Sequence, residues 1–567
     1  MQSSEPSWTR QVLATAWIAT ASPFVVSGVW VPIARGLGVE TWSHFAVVLA
    51  AMACMLIPCG LRGRVPSAWL DGGGVVAATV AAWALVGADV GAPLLAALLA
   101  AAAMGTHRLS AWMAARLPPS LDEPSPVWAR VLWGVAMALA FASAVRVGAF
   151  MGDPSLWWCS VLPGHEMLER HACMSGYLHA ALLVADGANP YDLRYDLLEL
   201  GVNAPLPDSA AFIAPFSLDV YAYSPAFLLV SEALLCVSHD FISLRGVFAM
   251  VSMLSWCVCV WAVGETLGGV TQQRMAWLAP LLTASPPLLF VLQLANFHLV
   301  LVAMCAAIWL ALYRRREAWA GALLAAAVLA KYSPALLGVY LLGRRRLKVL
   351  AFTAVAALGL IGLSVGVHGV RPWEWFFTYQ IPNIQSGVVM GFLDTLSSSV
   401  MSNLAPFGVP FKLRELGLKG MGWEEARSIN QVFTVFLVVV AVWASRRRGC
   451  PPQELASWLA VAMLAALRSP FAGPHILCGL VLPMLVLVGE VRGRRQACIY
   501  GATLAAFMFP WPHPGPVGYA WWLVLQVLLL GVLVWMALLP SGDARQAAAG
   551  GEPLVSGEEG AVRIRDA

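Results

Sequence analysis

Charge is what this sequence has least of. Only 12% of its 567 residues are Asp, Glu, Lys or Arg, about half the share found in soluble domains. Such a chain cannot cover a water-facing surface. The formal net charge of +4 is too small to argue for a nucleic-acid partner. Nucleotide-cradling loops are missing as well. There is no GxxxxGK[ST] and no GxGxxG, which disfavours ATP-driven transport and redox chemistry on a bound dinucleotide. The eleven cysteines are scattered, without a paired CxxC array, so a structural zinc site is not expected. Cys159 and Cys173 alone share a polar loop, and a disulfide or two free thiols both remain open there. His165 and His171 flank Glu166 and Glu169, but they stand six positions apart. A helical zinc motif needs its histidines four apart, so neither a metal nor a cofactor is expected.

What is present is apolar length. The apolar set makes up 60% of the residues and the mean hydropathy is +0.74. At about 20 residues per crossing, the chain has room for a dozen or more helices. It reads as an all-α polytopic membrane protein. The stretch from Gln11 to Ala34 is too long for a signal-peptide core and reads as a retained first span.

Arg and Lys clusters mark cytoplasmic loops. They fall at Arg62/Arg64, Arg108/Arg116, Arg314–Arg316, Arg344–Lys348, Arg446–Arg448 and Arg492–Arg495. Spans are expected near 12–33, 42–61, 68–88, 90–106, 127–150, 242–263, 276–293, 297–313 and 349–367. Five more fall near 431–445, 455–467, 475–490, 497–510 and 519–539. The total is about 14 crossings, within two either way, with both termini cytoplasmic. Two large segments, 151–221 and 371–430, lie outside, and the apolar stretch 224–237 reads as a half-inserted or surface helix. Residues 317–343 are too few for two crossings, so they form a re-entrant hairpin from the cytoplasm turning at Lys331-Tyr332-Ser333-Pro334. Because it opens to the cytoplasm, Lys331 is expected to serve structure or lipid handling. The tail 541–567 reads as disordered.

With this topology the unusual polar residues collect at the outer face. They are His165/Glu166/Glu169/His171, Asn189–Asp192, Tyr221/Tyr223, Gln293/Asn296/His298, Asn383/Gln385, and Arg468 with His475. Arg468 stands out because it opposes the positive-inside trend. Asn189-Pro190-Tyr191-Asp192 is also a good turn sequence in its own right. Most of the 25 tryptophans read as interfacial belt residues, with Trp373 and Trp375 as exceptions worth testing.

Read in order, these segments resemble glycosyltransferase family 87 of the GT-C superfamily. Tyr177-Leu-His179 through Gly187-Ala-Asn189-Pro190-Tyr191-Asp192 is similar to that family's G-x-N-P-Y-D stretch, and Tyr221-Ala-Tyr223-Ser-Pro225 to its Tyr-Pro element. Gln293-Leu-Ala-Asn296 resembles its Gln-x-x-Asn turn. Ala320-Gly321 through Lys331-Tyr-Ser-Pro334 and Arg344–Arg346 resemble its Gly…Lys-x-x-Pro…Arg-Arg hairpin. Asn383-Ile-Gln385-Ser386 resembles its Asn-Gln-Ser segment, and Arg468-Ser-Pro470 to His475 its Ser-Pro-x-x-Trp-x-His turn. One position departs: where the family carries its catalytic Asp, this chain has Cys173.

The resemblance implies a GT-C-like domain over 119–540, preceded by an added membrane module of about four helices, 1–118. It implies transfer of a hexose, mannose first, or a pentose from a polyprenyl phosphate to a glycan or glycolipid hydroxyl at the extracytoplasmic face of the bacterial inner membrane. The lipid phosphate is already a good leaving group, so one carboxylate suffices as base, unlike the pair of a glycosidase. Glu169, Glu166 and Asp153 are the candidates. His475 and Arg468 would face the phosphate, and Tyr177, Asn189, Tyr191, Tyr223, Gln293, Asn296, Lys331 and Asn383 would bind substrate. The alternatives are a transporter or lipid flippase, and a GT-C relative without activity.

Overall fold

The computed structural model describes residues 7–36, 44–61, 77–82 except 79, 91–123, 125–165, 169–192, 212–386, 389, 393, 397–447, 449–508 and 515–539. Among these the chain is helical throughout, and the extended pairing is a single parallel bridge between His171 and Ser217. Seven helices are long and apolar enough to cross a membrane: Trp8–Gly36, Leu94–Arg116, Val127–Gly152, Phe241–Leu267, Leu347–His368, Trp423–Arg446 and Pro516–Ala537. An eighth crossing is supplied if Gly269–Thr283 and Pro286–Gln293, bent by 49° at their junction, count as one. The bend has a local cause, since Pro286 opens the second helix and its ring cannot continue the first. Every span expected from the sequence coincides with a helix except 68–88, most of which lies outside the described residues.

These helices are apolar on all sides rather than on one stripe, as lipid-facing or fully buried helices are. Leu347–His368 makes the point. Phe352, Val355, Leu358, Leu363 and Val367 are all exposed, which water would not tolerate in one continuous band. Elsewhere, small residues let backbones approach, as is usual between membrane helices. A Cβ at Gly28 would fall 2.5 Å from Met250 Cβ, so the first helix lies tightly on Phe241–Leu267. The first helix therefore joins the main core through Trp17, Phe24 and Val31. A smaller core of Trp30, Val48, Met52, Leu95 and Leu99 holds the other N-terminal helices.

The expected hairpin is present as Glu317–Ala330 and Ala335–Gly343. At about 1.5 Å per residue the longer arm spans roughly 21 Å, too short to cross a bilayer but long enough to carry its tip deep into one. Two hydrogen bonds dock that tip on the Tyr-Pro element: Tyr332 Oη donates to Ala222 O at 2.7 Å, and Ser224 Oγ donates to Leu329 O. The apolar stretch 224–237 holds a short helix, Leu228–Leu235, and Asp240 Oδ2 accepts the Ser243 N–H at 2.7 Å to start the next helix.

A buried arginine organises the layer above. Arg245 donates to Phe150 O at 2.8 Å and Gln293 O at 3.1 Å, with its guanidinium between the rings of Phe150 and Phe216. It thereby ties together the end of Val127–Gly152, the 212–217 segment and the end of Pro286–Gln293. On the far side Lys412 does similar work, donating to Asn403 O and to Gln526 Oε1 at 3.0 Å.

Candidate functional site

The site is built where the turn before helix Met174–Ala185 meets residues 217–219. Ser217 N–H donates to Arg170 O at 2.7 Å, and the Ser175 hydroxyl donates to Ser217 O at 2.9 Å while accepting the Asp219 N–H at 2.9 Å. Gly176 permits this approach, because a Cβ there would stand 2.6 Å from Asp219 O. The consequence is that the Asp219 carboxylate points at His171. Its Oδ2 lies 3.6 Å from His171 Nε2, while Oδ1 accepts the Val220 N–H at 2.8 Å. His171 Nε2 is in turn 3.6 Å from Cys173 Sγ. Asn296 Nδ2 donates to that sulfur at 3.1 Å, and the His298 N–H fixes the amide by donating to Asn296 Oδ1 at 2.9 Å.

One ammonium and two imidazoles stand close to this group. The Lys331 ammonium stands 5.8 Å from the centroid of the Tyr223 ring and is in electrostatic reach of Cys173, Cys478 and Asp219. His298 and His475 lie edge to face at 6.2 Å, both in reach of Lys331. The His475 turn is held by Asn403, whose Oδ1 accepts the Ala405 and Ala472 N–H groups at 2.9 and 3.0 Å and whose Nδ2 donates to Pro470 O at 2.9 Å. His298 is buried with neither ring nitrogen hydrogen-bonded, and it faces a cavity lined by Leu301, Val302, Cys305, Met463 and Gly479. The arrangement therefore offers a carboxylate, one ammonium and two imidazoles beside an apolar recess. A phosphorylated lipid and a hydroxyl acceptor have complementary needs.

Some expected residues come together here and others do not. Lys331, His475, Asn296 and Tyr223 do. Tyr177 lies beneath them, its hydroxyl 2.8 Å from that of Tyr223 and accepting the Phe297 N–H at 3.3 Å. Tyr191 Oη donates to Tyr223 O at 3.0 Å, and Asn189 Oδ1 accepts the Tyr191 N–H at 3.0 Å, so Asn189 shapes a turn. The Gln293 carbonyl oxygen of the side chain accepts the Val161 N–H at 2.7 Å and anchors the loop. Arg468 is exposed and its Nε donates to Thr434 Oγ1 at 2.9 Å, away from the cluster. Asn383 sits in the short helix Ile381–Ser386, whose end is bound through Ser386 O to Arg427. Trp373 is buried, with Nε1 3.3 Å from Ser364 Oγ.

Of the three candidate bases, Glu169 accepts the Gly164 N–H at 2.6 Å within its own loop, and Asp153 accepts the Ser155 N–H at 3.0 Å. Glu166 lies outside the described residues. Among the described residues Asp219 is the carboxylate that meets the cluster, and it carries no motif that sequence reading would single out. Cys159 and Cys173 are both free thiols. Burial pushes the Cys159 thiol up to about 11, against the pull of Arg146.

Comparison with known proteins points to a glycosyltransferase. Residues 221–470 match the family model of glycosyltransferase family 87. A polyprenol-phosphate-mannose-dependent alpha-(1-2)-phosphatidylinositol mannoside mannosyltransferase from Mycolicibacterium smegmatis is 24% identical over 421 residues, covering 66% of this chain and 91% of that protein. A polyprenol-phosphate-mannose-dependent alpha-(1-2)-phosphatidylinositol pentamannoside mannosyltransferase from Mycobacterium tuberculosis is 28% identical over 256 residues, covering 41% of this chain and 54% of that protein. No solved structure matches the chain. With its apolar helices and a family match that takes in Tyr223 and Lys331, the chain is a multi-pass membrane protein similar to the glycosyltransferases of family 87.

Proposed function

We propose that the protein transfers mannose from a polyprenyl-phosphate donor to a hydroxyl of a glycolipid or glycan acceptor, at the extracytoplasmic face of a bacterial inner membrane. The donor and acceptor kinds follow the relatives named above, both of which are polyprenol-phosphate-mannose-dependent. The observation that carries the reading is the convergence of Asp219, Lys331, His298 and His475 above one apolar recess.

In this mechanism the donor phosphate lies against Lys331 and His475, with the first isoprene units over Leu301, Val302 and Met463. Asp219 Oδ2 takes the proton of the acceptor hydroxyl as its oxygen bonds to the sugar C1. The C1–O bond to phosphate breaks and its electron pair leaves with the polyprenyl phosphate. Lys331 stabilises that departing charge in a site with little water, where such an interaction is strong. Glu169 is the second candidate for base, and Glu166 and Asp153 follow it.

The topology consistent with this chemistry has about 14 crossings, both termini cytoplasmic, and 151–221 and 371–430 outside. The seven long helices then need the bent pair and shorter apolar helices such as His298–Tyr313 and Pro474–Glu490 to complete the count. Residues 1–118 form an added membrane module before the catalytic body 119–540. Tyr177, Tyr191, Tyr223, Gln293 and Asn296 hold the floor and walls of the site, and Asn189, Asn383 and Arg468 border its approaches.

The test is transfer of radiolabelled mannose from synthetic polyprenyl-phosphate-mannose by the solubilised full chain, with Asp219→Asn beside Glu169→Gln. A loss of about 100-fold or more at Asp219→Asn, with Glu169→Gln active, is expected. The reverse pattern moves the base to Glu169. A wild type that transfers from no polyprenyl-phosphate sugar overturns the assignment.

A further inference from the structure

Three unlike donor atoms in the site lie close together. His171 Nε2 is 3.6 Å from Cys173 Sγ and 3.6 Å from Asp219 Oδ2, and all three ligand atoms lie within 4.8 Å of one another. Tetrahedral zinc, with bonds of about 2.3 Å to sulfur and about 2.0 Å to nitrogen, separates those two atoms by about 3.5 Å. The geometry for an ion is thus present before any ion arrives.

The surroundings keep it so. The parallel bridge between His171 and Ser217 and the paired Ser175 hydrogen bonds lock the two segments that carry the three side chains. Asn296 Nδ2 donates to the Cys173 sulfur at 3.1 Å, a contact that stabilises a metal-bound thiolate, and Asn296 is itself oriented by the His298 N–H. A thiolate, an imidazole and one carboxylate select zinc-class ions and reject magnesium and calcium, which prefer all-oxygen shells. The charges also suit: a divalent ion with a thiolate and a carboxylate is neutral overall.

We propose that His171, Cys173 and Asp219 form a zinc-class metal site and that its occupation reversibly inhibits transfer. Binding displaces the thiol proton to solvent and involves no redox step. Oδ1 of Asp219 already accepts the Val220 N–H. An ion on Oδ2 therefore takes the oxygen that the acceptor hydroxyl needs. Inhibition rests on the reading of Asp219 as base, whereas metal binding does not.

Cobalt(II) distinguishes the two, because a cysteine ligand gives it a thiolate-to-cobalt charge-transfer band. The full chain, chelator-treated and in detergent, is titrated with cobalt, and mannose transfer is measured against zinc in parallel. The wild type is expected to show the band at one equivalent and to lose at least tenfold in transfer with zinc, regained on chelation. Cys173→Ser, with folding checked by thermal unfolding, is expected to lack the band and, measured against its own zinc-free rate, to resist zinc about tenfold better. His171→Ala is expected to weaken the band. A folded wild type with no thiolate band, or a band unchanged in Cys173→Ser, overturns the site. A band without zinc inhibition of an active wild type overturns the inhibitory role. A band in a chain that transfers no mannose leaves the site standing and removes the enzymatic reading.

Discussion

The Tyr332 hydroxyl donates to the Ala222 carbonyl at 2.7 Å, so the tip of the helical hairpin hangs from the segment of chain that carries Tyr223. Lys331, one residue earlier, is delivered to the site by that bond. Tyr332→Phe removes one hydrogen bond worth about 0.5–1.5 kcal/mol without altering packing. The expected outcome is an intact fold with transfer reduced several-fold, mostly through a higher KM for donor. Steady-state kinetics at varied donor concentration checks it, and an unchanged KM would detach the tip from donor binding.

Lys331→Met keeps the length of the side chain and removes its charge. If the ammonium stabilises the departing phosphate, kcat falls by about 100-fold or more, and Lys331→Arg recovers part of the loss. Single-turnover transfer measures the step directly. A variant with full kcat would return Lys331 to a structural role.

Gly176→Ala tests how closely the Asp219 segment must approach. The added Cβ would meet Asp219 O at 2.6 Å, so backbone must move. A destabilisation of about 1–3 kcal/mol is expected, with transfer lost beyond what the unfolded fraction explains. Thermal unfolding and activity on the same preparation separate the two effects.

Arg245→Met should be among the most damaging substitutions outside the reacting groups. It leaves the carbonyls of Phe150, Met151 and Gln293 without their donor, at a cost of about 3 kcal/mol or more for bonds to a charged group. Arg245→Lys should rescue little, because an ammonium cannot reproduce the planar fork. Detergent-solubilised yield and unfolding temperature give the readout.

Acid sensitivity should appear at the base of the first helix. Burial is the largest single influence on Asp122 and opposes its ionisation, but hydrogen bonds from Ser7 and Arg10 and the Arg10 charge together outweigh it and hold the carboxyl below its ordinary value. A depressed folded value contributes stability that is present above about pH 4 and lost as pH falls through the folded value. Asp122→Asn should therefore remove that small contribution at neutral pH, as expected of an exposed pair, and flatten the pH dependence of unfolding below that point.

Much of the architecture was legible because each element announces itself locally. A span is a run of apolar residues, and the hairpin between Arg316 and Arg344 is visible from its length alone. Lys331, Tyr223, Asn296 and His475 were legible for a related reason, since each sits in a short turn whose Pro or Asn neighbours mark it. Asp219 was not. It lies 46 positions from Cys173 in the chain, and only the Ser175 and Gly176 contacts bring the two together. Local reading favoured Glu169, which is nearer in sequence but bonded within its own loop. Arg468 was singled out by its charge on the unexpected side, and its guanidinium turns instead to Thr434. Arg245 carried no signal beyond being an arginine inside an apolar run.

The docking of the hairpin tip also sets a timetable for biogenesis. His171 and His475 stand more than half the chain apart, with Asp219, His298 and Lys331 between them. As the ribosome feeds helices into the bilayer, every partner but one is in place long before the Pro474–His475 turn emerges. A stalled or truncated insertion product would hold an orderly membrane body in which His298 lacks its edge-to-face partner His475.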